Sequence, residues 1–321
     1  MTRRQLAVVV AVSAMVLSVN LNAGQPVRVV GRPSDNRIET VEQHHYSMTA
    51  RVRPLVVFWI TRSGVGDAVV TWRRGPREVG YSLLIGSDPD RAPRRINRWG
   101  YIDEEIRGAE ARLIGLMTQS EENTVEEAEA SVRKPVTGER SFKIIQATID
   151  HDQARSVVGS IDAPGTYTFR DARIVLDLAT RGTIEGRSRV VRLPTGTRPG
   201  FLSALADLIH AQVERSRTPD GLRARGSMPF VYHGRIYELR SARARQLSVA
   251  AVGGKFYHHV VVTDLEIKNT DDGEVSRFSM TVGTEGPLAE VPIGLSYQPR
   301  WWMQIDLALD DETGGHAMVE E

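Results

Sequence analysis

The chain of 321 residues contains no cysteine. This absence excludes disulfide bonds, a thiol nucleophile, a zinc-thiolate site and lipid attachment through a cysteine. An exported protein without disulfides fits the bacterial periplasm better than a disulfide-stapled eukaryotic secretion product. The sequence thus favours a bacterial setting if the chain is exported.

An excess of charge of one sign is also missing. Lysine and arginine number 41 and aspartate and glutamate 40, giving a formal net charge of +1. Removing Arg3 and Arg4 with the N-terminal segment leaves 41 − 2 = 39 basic residues, so the remaining chain carries −1. No global field attracts nucleic acid, and we therefore expect no nucleic-acid partner.

The longest apolar run covers only residues 6–19. It follows Arg3 and Arg4 and precedes the small residue Ala23, which is the order of a secretory signal peptide. A comfortable membrane span needs about 20 apolar residues, so this run is short for an anchor. We expect cleavage near Ala23 and a periplasmic or secreted protein, with an uncleaved anchor as the alternative. Membrane contact is then expected only through this segment before cleavage, or at the periphery.

The rest of the chain predicts one β-rich domain. Residues 24–45 are polar and contain Pro26 and Pro33, which indicates a linker or arm. Residues 46–310 alternate short β-like runs with turn residues, and residues 311–321 form a polar, flexible tail. Residues 87–135 break the pattern: they are acidic and moderately helical from residue 102 onward and are expected to form a partly helical insertion. Residues 166–178 are predicted as a strand.

One helix is strongly predicted within residues 199–217. Apolar residues recur there at helical spacing, namely Phe201, Leu205, Leu208, Ile209 and Val213. Many strands with a single convincing helix indicate a mainly β (α+β) fold. We expect a curled antiparallel sheet or half-open β-barrel packed on that one main helix.

The last strand region, residues 291–309, contains the adjacent Trp301 and Trp302. Apolar residues fall on odd positions: Ile293, Leu295, Tyr297, Trp301, Met303, Ile305, Leu307 and Leu309. This parity assigns Trp301 to the core and Trp302 to the polar face. Pro299 predicts either a kink or a short loop that turns the strand back. Trp302 is then either covered by another segment or a ligand contact.

Catalytic motifs are missing as well. The chain has no G-x-S-x-G elbow, H-E-x-x-H, Walker loop or G-x-G-x-x-G. The neighbours His258 and His259 point to opposite faces of a strand and are not expected to share an ion. Residues 103–105 are interpreted as a solvated helix start and residues 150–152 as a hairpin turn. We predict no catalytic residue, no metal site and no cofactor.

The insertion concentrates arginine beside an aromatic residue. Such a set receives an anionic group through forked hydrogen bonds and stacking. The alternative is that these arginines pair with the neighbouring acids, among them Asp88, Asp90 and Asp103. The candidate ligand-binding residues are Arg94, Arg95, Arg98, Trp99 and Trp302.

Four motifs in the C-terminal third occur in a fixed order. They read "FLSALADLIHAQ", "FVYHGRIYELRSARARQL", "GGKFYHHVVVTDLEI" and "GTEGPLAEVPIGLSYQPRW". In this order the chain resembles a bacterial family of exported proteins of unknown function. The resemblance implies a half-open β-barrel wrapped over a helix, similar to periplasmic lipoprotein carriers of the LolA type. It implies no reaction, and residues 87–135 have no counterpart in it.

Three functions follow as expectations. The first is a non-enzymatic binding or carrier protein of the cell envelope, with a lipid, another hydrophobic ligand or an envelope protein as partner. The second is a periplasmic hydrolase that uses carboxylates on glycan or ester substrates. The third is a structural envelope protein without a ligand. The concave face of the sheet, hollow or filled, is the feature that best separates them.

Overall fold

The computed structural model describes most of the chain between residues 39 and 310. The described residues are 39–53, 59–92, 97–118, 139–164, 171–172, 176, 184, 186–218, 220–223, 225–300 and 303–310. They form one antiparallel sheet of fourteen strands that is not closed, together with one α-helix. The predicted mainly β fold with a curled sheet is confirmed. The predicted signal peptide of residues 1–23, residues 24–38 of the predicted linker, and the predicted tail of residues 311–321 lie outside the described residues.

Eight strands precede the helix and six follow it. The first eight are β1 (Glu39–Val52), β2 (Ile60–Arg74), β3 (Val79–Ser87), β4 (Trp99–Arg107), β5 (Glu110–Thr118), β6 (Glu139–Asp150), β7 (Gln153–Pro164) and β8 (Gly186–Arg192). Helix α1 (Phe201–Ser216) comes next. The remaining strands are β9 (Ser227–Tyr232), β10 (Arg235–Val252), β11 (Lys255–Asn269), β12 (Val275–Gly283), β13 (Pro292–Arg300) and β14 (Met303–Leu309). Short 3-10 turns lie at Gly221–Arg223 and Gly286–Leu288.

The first and last strands meet in the middle of the sheet. β1 pairs with β14 from Tyr46 opposite Leu309 to Val52 opposite Met303. From β1 the chain runs strand by strand to the edge at β8, and from β9 at the other edge it returns to β14. Helix α1 lies in the connection between the two edges. Each strand therefore pairs with its sequence neighbours, apart from the central β1–β14 pair and the two edges.

Helix α1 begins and packs as its apolar period predicts. Phe201, Leu208 and Val213 are buried in one cluster with residues from strands near both ends of the sheet, and Leu205 packs against this cluster partly buried. The helix contacts β9 and β10 most. The helix therefore shares the main apolar cluster with residues of the sheet, and this packing removes their apolar area from water.

The two edges of the sheet approach each other through side chains. Val231 of β9 is buried in a cluster with residues of β5, β6 and β7, including Leu113. Arg189 of β8 donates to Asp271 in the β11–β12 turn over 3.1 Å. The segment after β8 also bridges β9 in parallel at Arg198 and Phe230. These contacts join the two edges of a sheet whose ladder of paired strands is open.

A second apolar cluster lies apart from the main one. Its buried members are Trp99, Leu116, Phe142, Ile144, Val157, Ala172 and Ile184. They come from β4 to β7 and from residues 172 and 184. Alternate residues of these strands belong to different clusters, so β4 to β7 are packed on both faces.

Three sequence predictions are wrong in detail. β1 begins at Glu39, so the predicted linker of residues 24–45 overlaps it by its last seven residues. Residues 102–118 of the insertion, predicted as moderately helical, lie in the strands β4 and β5 and the turn between them, because tertiary pairing overrides a moderate helical composition. Residues 119–135 of the insertion lie outside the described residues. Residues 172 and 176, predicted within a strand, are helical.

Asp88 starts a single turn, accepting from the Ala92 amide over 2.6 Å through its backbone oxygen. Two finer predictions are confirmed. The chain turns back between β13 and β14, with Arg300 opposite Met303. The odd residues Tyr297, Ile305 and others of this parity are buried, as predicted. In the part of the chain that the structure describes, no helix has both the length and the apolar character needed to cross a membrane.

Candidate functional site

The arginine and tryptophan residues predicted to bind a ligand do not form a site among the described residues. Arg94, Arg95 and Trp302 lie outside the described residues. Trp99 is 0% exposed and packs against Phe142 with ring centroids 5.1 Å apart. Its prediction as a ligand contact is wrong, because the indole lies in the second apolar cluster. Arg98 is half-buried, and its backbone pairs with Ser87.

The alternative, pairing of insertion arginines with nearby acids, holds for Arg91. Its guanidinium contacts the Asp88 carboxylate at 2.9 Å and the Asp67 carboxylate at 2.5 Å. Both contacts lie at the edge of the turn that Asp88 begins. These half-exposed pairs position the turn and contribute little to stability individually.

The most unusual group in the described structure is the carboxylate of Glu104. This β4 side chain is 0% exposed and accepts the backbone amides of Leu202 and Ser203 at 2.7 and 2.9 Å. These amides belong to the first turn of α1, whose N–H groups have no partner within the helix. Glu104 thus caps the helix from a strand about a hundred residues earlier. A Cβ on Gly200 would lie 2.2 Å from its carboxyl carbon, so only glycine fits there.

The acidic segment of residues 103–105 was interpreted as a solvated helix start, and this is wrong. It lies within β4, and alternation places Glu104 on the same face as the buried Ile102. Burial raises the pKa of Glu104 to about 7, while hydrogen bonds from Leu202 and Ser203 act in the opposite direction. The raised pKa is therefore a consequence of the burial of the carboxyl and not of the capping hydrogen bonds.

A cavity of about 310 Å³ opens beside this helix start. Its apolar walls come from β3, β4, β5, β6 and the segment after β8, and include Val79, Ile106 and Leu193. The polar side chains that line it are Tyr81, Glu110, His151, Thr197, Arg198, Ser203 and Asp207. This size lies at the lower end of the range for small-molecule sites, and the mixed lining is typical of them.

Three of the polar groups that line the cavity already have partners. Arg198 forms an ion pair with Asp207 of α1. The Ser203 hydroxyl lies 3.1 Å from the Gly200 carbonyl oxygen, to which it donates, and 3.2 Å from the Gly200 amide. Burial and the nearby charge of Asp207 raise the pKa of Tyr81, which stays a neutral donor and acceptor. The lining therefore offers dipoles and one internal ion pair rather than an activated nucleophile.

His151 lies at the rim of the cavity. It sits in the predicted β6–β7 hairpin turn with a left-handed φ of 53°, and its Nδ1 lies 2.5 Å from Asp150. The hydrogen bond that His151 donates to the Asp150 carboxylate raises the pKa of His151. This exposed pair adds a titratable group where a ligand would enter.

One further group of residues has the composition of a metal site. His210, Glu214 and Glu290 offer ligand atoms within 4.8 Å of one another, and all three are exposed. His210 and Glu290 already contact each other at 2.8 Å. Exposed acidic groups of this kind commonly hold no ion, and the protein provides no enclosed coordination geometry here.

Sequence reasoning missed the cavity residues because they lie far apart in the chain. Tyr81, Glu110, His151 and Arg198 come from four different segments. A signal existed for Glu104 alone: once residues 99–107 are read as a strand, a glutamate alternates with isoleucines at 102 and 106. A charged residue in an apolar alternation indicates a buried, partnered group.

No protein-family model, curated protein or solved structure matches the chain. The function is therefore argued from the site itself.

Proposed function

We propose that the chain is an exported, non-catalytic binding protein of the bacterial cell envelope that holds a small amphipathic ligand at one end of its curled sheet. In this proposal the sheet acts as a half-open β-barrel around α1, the architecture that the resemblance of its motifs to an exported bacterial family implies. The signal-like residues 1–23 support export. The observation that carries the proposal is the cavity of about 310 Å³ at the start of α1.

The lining favours a ligand with an apolar body and a polar end. Val79, Ile106 and Leu193 provide apolar wall, and Tyr81 and the Arg198–Asp207 pair provide hydrogen-bonding groups. Oriented polar groups beside an apolar wall give a ligand orientation without chemistry.

The packing argues against a long acyl chain on the concave face. Phe201, Leu208 and Phe230 of the main cluster already occupy the space between helix and sheet. An acyl chain would have to displace these contacts at the cost of their burial. The proposed ligand is therefore a small lipid-like molecule, or the polar end of a larger one.

A carboxylate-dependent hydrolase is the second candidate, because Glu110 and Asp207 both line the cavity. A glycosidase of this kind needs one carboxyl kept protonated near neutral pH. The carboxyl with that property is Glu104, and both of its oxygens accept helix amides. This arrangement favours binding over hydrolysis.

The proposal is tested with 1-anilinonaphthalene-8-sulfonate, a fluorescent probe with an apolar body and an anionic end. Ala109 lines the cavity in the exposed β4–β5 turn, so Ala109→Trp fills the entrance with little effect on the core. We expect one probe per chain and a loss of affinity of about tenfold or more in Ala109→Trp, because the bulky ring takes the ligand's apolar contacts.

The matched control is Ala289→Trp, an exposed loop position away from the cavity. If both variants bind the probe as the parent does, the cavity is not the binding site and the proposal fails. Native mass spectrometry of protein purified from its host then identifies the ligand retained by the parent and lost from Ala109→Trp. Hydrolysis of a chromogenic aryl ester or glycoside that disappears in Asp207→Asn would favour the enzyme instead.

A further inference from the structure

The β10–β11 hairpin is longer than the strands beside it. β10 has 18 residues, whereas its neighbour β9 has 6 and pairs only as far as Arg240. On the other side, β12 pairs with β11 only from Val260 onward. Residues 243–259, called the extension below, therefore continue largely as a two-stranded ribbon.

One face of the extension is covered by the sheet. A Cβ on Gly294 of β13 would lie 2.6 Å from Val252, and a Cβ on Gly253 would lie 2.6 Å from Ala308 of β14. The tip thus lies against the outer face of β13 and β14. This contact fixes which side of the ribbon points away from the protein.

The opposite face is apolar and open to solvent. Val249 pairs with His258 and Ala251 with Phe256, so these four side chains share a face. Phe256 is 74% exposed and Val249 is 42% exposed. Phe256 is the most exposed large hydrophobic residue among those that the structure describes. Large apolar side chains held outward on a rigid ribbon are a feature of interaction surfaces.

The charge of the extension has a single sign. From residue 239 to residue 263 the sequence contains no aspartate or glutamate, while Arg243, Arg245 and Lys255 are basic. Arg243 and Arg245 are exposed; Arg243 lies opposite the exposed Asp264 in the β10–β11 ladder, and Arg245 lies opposite Val262. The whole chain is nearly neutral, so this local excess is not a consequence of composition.

We propose that the extension is a peripheral docking element for an anionic lipid bilayer. Phe256 and Val249 enter the boundary between head groups and acyl chains, and Arg243 and Arg245 pair with anionic head groups. An aromatic side chain prefers this boundary, and each basic residue near an anionic surface strengthens binding. The element delivers the cavity of the protein to a membrane surface, but its binding does not depend on what that cavity holds.

The absence of cysteine provides a clean experiment. Ala251→Cys in the full chain introduces a single thiol beside Phe256, which is labelled with the environment-sensitive fluorophore NBD. Vesicles of phosphatidylcholine with phosphatidylglycerol should raise the emission and shift it to shorter wavelength, and pure phosphatidylcholine vesicles should have a much smaller effect. The control label is Val190→Cys, on the edge strand β8 and 52% exposed, which should not respond.

Substitutions then separate the two contributions. Arg243→Gln with Arg245→Gln should weaken binding about 25-fold, about fivefold for each arginine, and high salt should mimic this loss. Phe256→Ser should weaken it about tenfold at every salt concentration. Arg112→Gln with Arg155→Gln, two exposed arginines on β5 and β7, is the matched charge control and should have little effect.

Three outcomes overturn the proposal. In the first, the label at residue 251 does not respond to anionic vesicles, or responds no more than the label at residue 190. In the second, neutral and anionic vesicles act equally. In the third, soluble polyglutamate produces the response and vesicles do not, which would identify an acidic protein as the partner. Circular dichroism spectra identical to the parent's show that a lost response is not due to misfolding.

Discussion

Trp99 and Phe256 are both aromatic residues near the start of a strand, and their surroundings are opposite. Trp99 on β4 is 0% exposed, whereas Phe256 on β11 is 74% exposed. β4 has strands on both sides and apolar clusters on both faces, while the start of β11 has one partner strand. The difference shows that strand length relative to the neighbours, and not residue type, decides which aromatic is buried.

The region around β4, called the enclosed region below, differs from the extension also in the surroundings of its charged residues. Around β4 the carboxylate of Glu104 is buried and fully engaged by the start of α1. The extension contains no acid, and its arginines are exposed. We therefore expect the enclosed region to determine the stability of the protein, and the extension to be available for binding a partner. The predictions below test this division.

The largest expected effect is at Trp99. Trp99→Ala should destabilise the protein by about 4 kcal/mol, because it removes a large buried ring from the second cluster and leaves a cavity beside Phe142. Phe256→Ser should change the free energy of unfolding by less than about 0.5 kcal/mol, since the side chain is already solvated. Urea denaturation of both variants measures the two values. Similar losses would contradict the division.

The next effect is at the helix cap. Glu104→Gln keeps the shape of the side chain but replaces one acceptor oxygen by a donor NH₂ that faces a helix amide. We expect a loss of about 2 kcal/mol, because one buried N–H of Leu202 or Ser203 is left without an acceptor. The neighbour Glu105, half-buried on the other face of the strand, provides the control Glu105→Gln, which should cost much less.

The pH dependence of stability should identify Glu104 directly. Its folded pKa of about 7 lies above the ordinary value of 4.5, so the native state binds the proton more tightly than the unfolded chain. Its contribution is fully present below about pH 4.5 and is lost as pH rises through 7, by about 2–3 kcal/mol between pH 5 and pH 8.

This trend is best measured as the difference in unfolding free energy between the parent and Glu104→Gln. Buried His233 titrates in the same range and acts in the opposite direction, so the parent alone can appear flat. Subtracting the unfolding free energy of Glu104→Gln from that of the parent at each pH cancels His233. A difference that stays constant from pH 5 to pH 8 would show that Glu104 remains ionised throughout.

The elements with local signals were predictable from the sequence. The apolar period of α1 and the odd parity of β13 and β14 follow from side-chain spacing alone. Residues 102–118 were predicted as moderately helical from their composition, whereas their strands pair with neighbours and Glu104 is buried against the start of α1, about a hundred residues away. Local composition has no access to such a partner.

The candidate site was less predictable than the fold. The predicted residues were chosen for proximity in sequence, and Trp99 among them belongs to the core. The cavity brings together Tyr81, Glu110, His151 and Arg198 through the curl of the sheet. The extension lies in the region predicted to alternate β-like runs with turns, but its exposure depends on where β9 and β12 stop pairing.

The smallest expected effect is a gain of stability at the β9–β10 turn, in the enclosed region. His233 and Gly234 occupy this two-residue turn with φ values of 58° and 66°, a backbone that favours Asn-Gly. His233 is also buried, and its Nε2 has no hydrogen-bond partner among the described residues. His233→Asn should therefore stabilise the protein by about 0.5–1 kcal/mol near neutral pH, whereas His233→Ala, which tolerates the positive φ less well, should not.

The gain should grow in acid, with a sign opposite to that of Glu104. Burial lowers the pKa of His233 from 6.5 to about 3, with the nearby charge of Lys143 acting in the same direction. The unfolded chain therefore takes up a proton below pH 6.5 that the native state refuses, and stability is lost as pH falls. At pH 5.5 this loss is about 1.4 kcal/mol, and His233→Asn should remove it. Thermal unfolding at pH 7.5 and pH 5.5 measures the change. If His233→Asn gains the same stability at both pH values, His233 takes up a proton in the folded protein as readily as in the unfolded chain. This turn is then as open to water as the one at Gly253-Gly254.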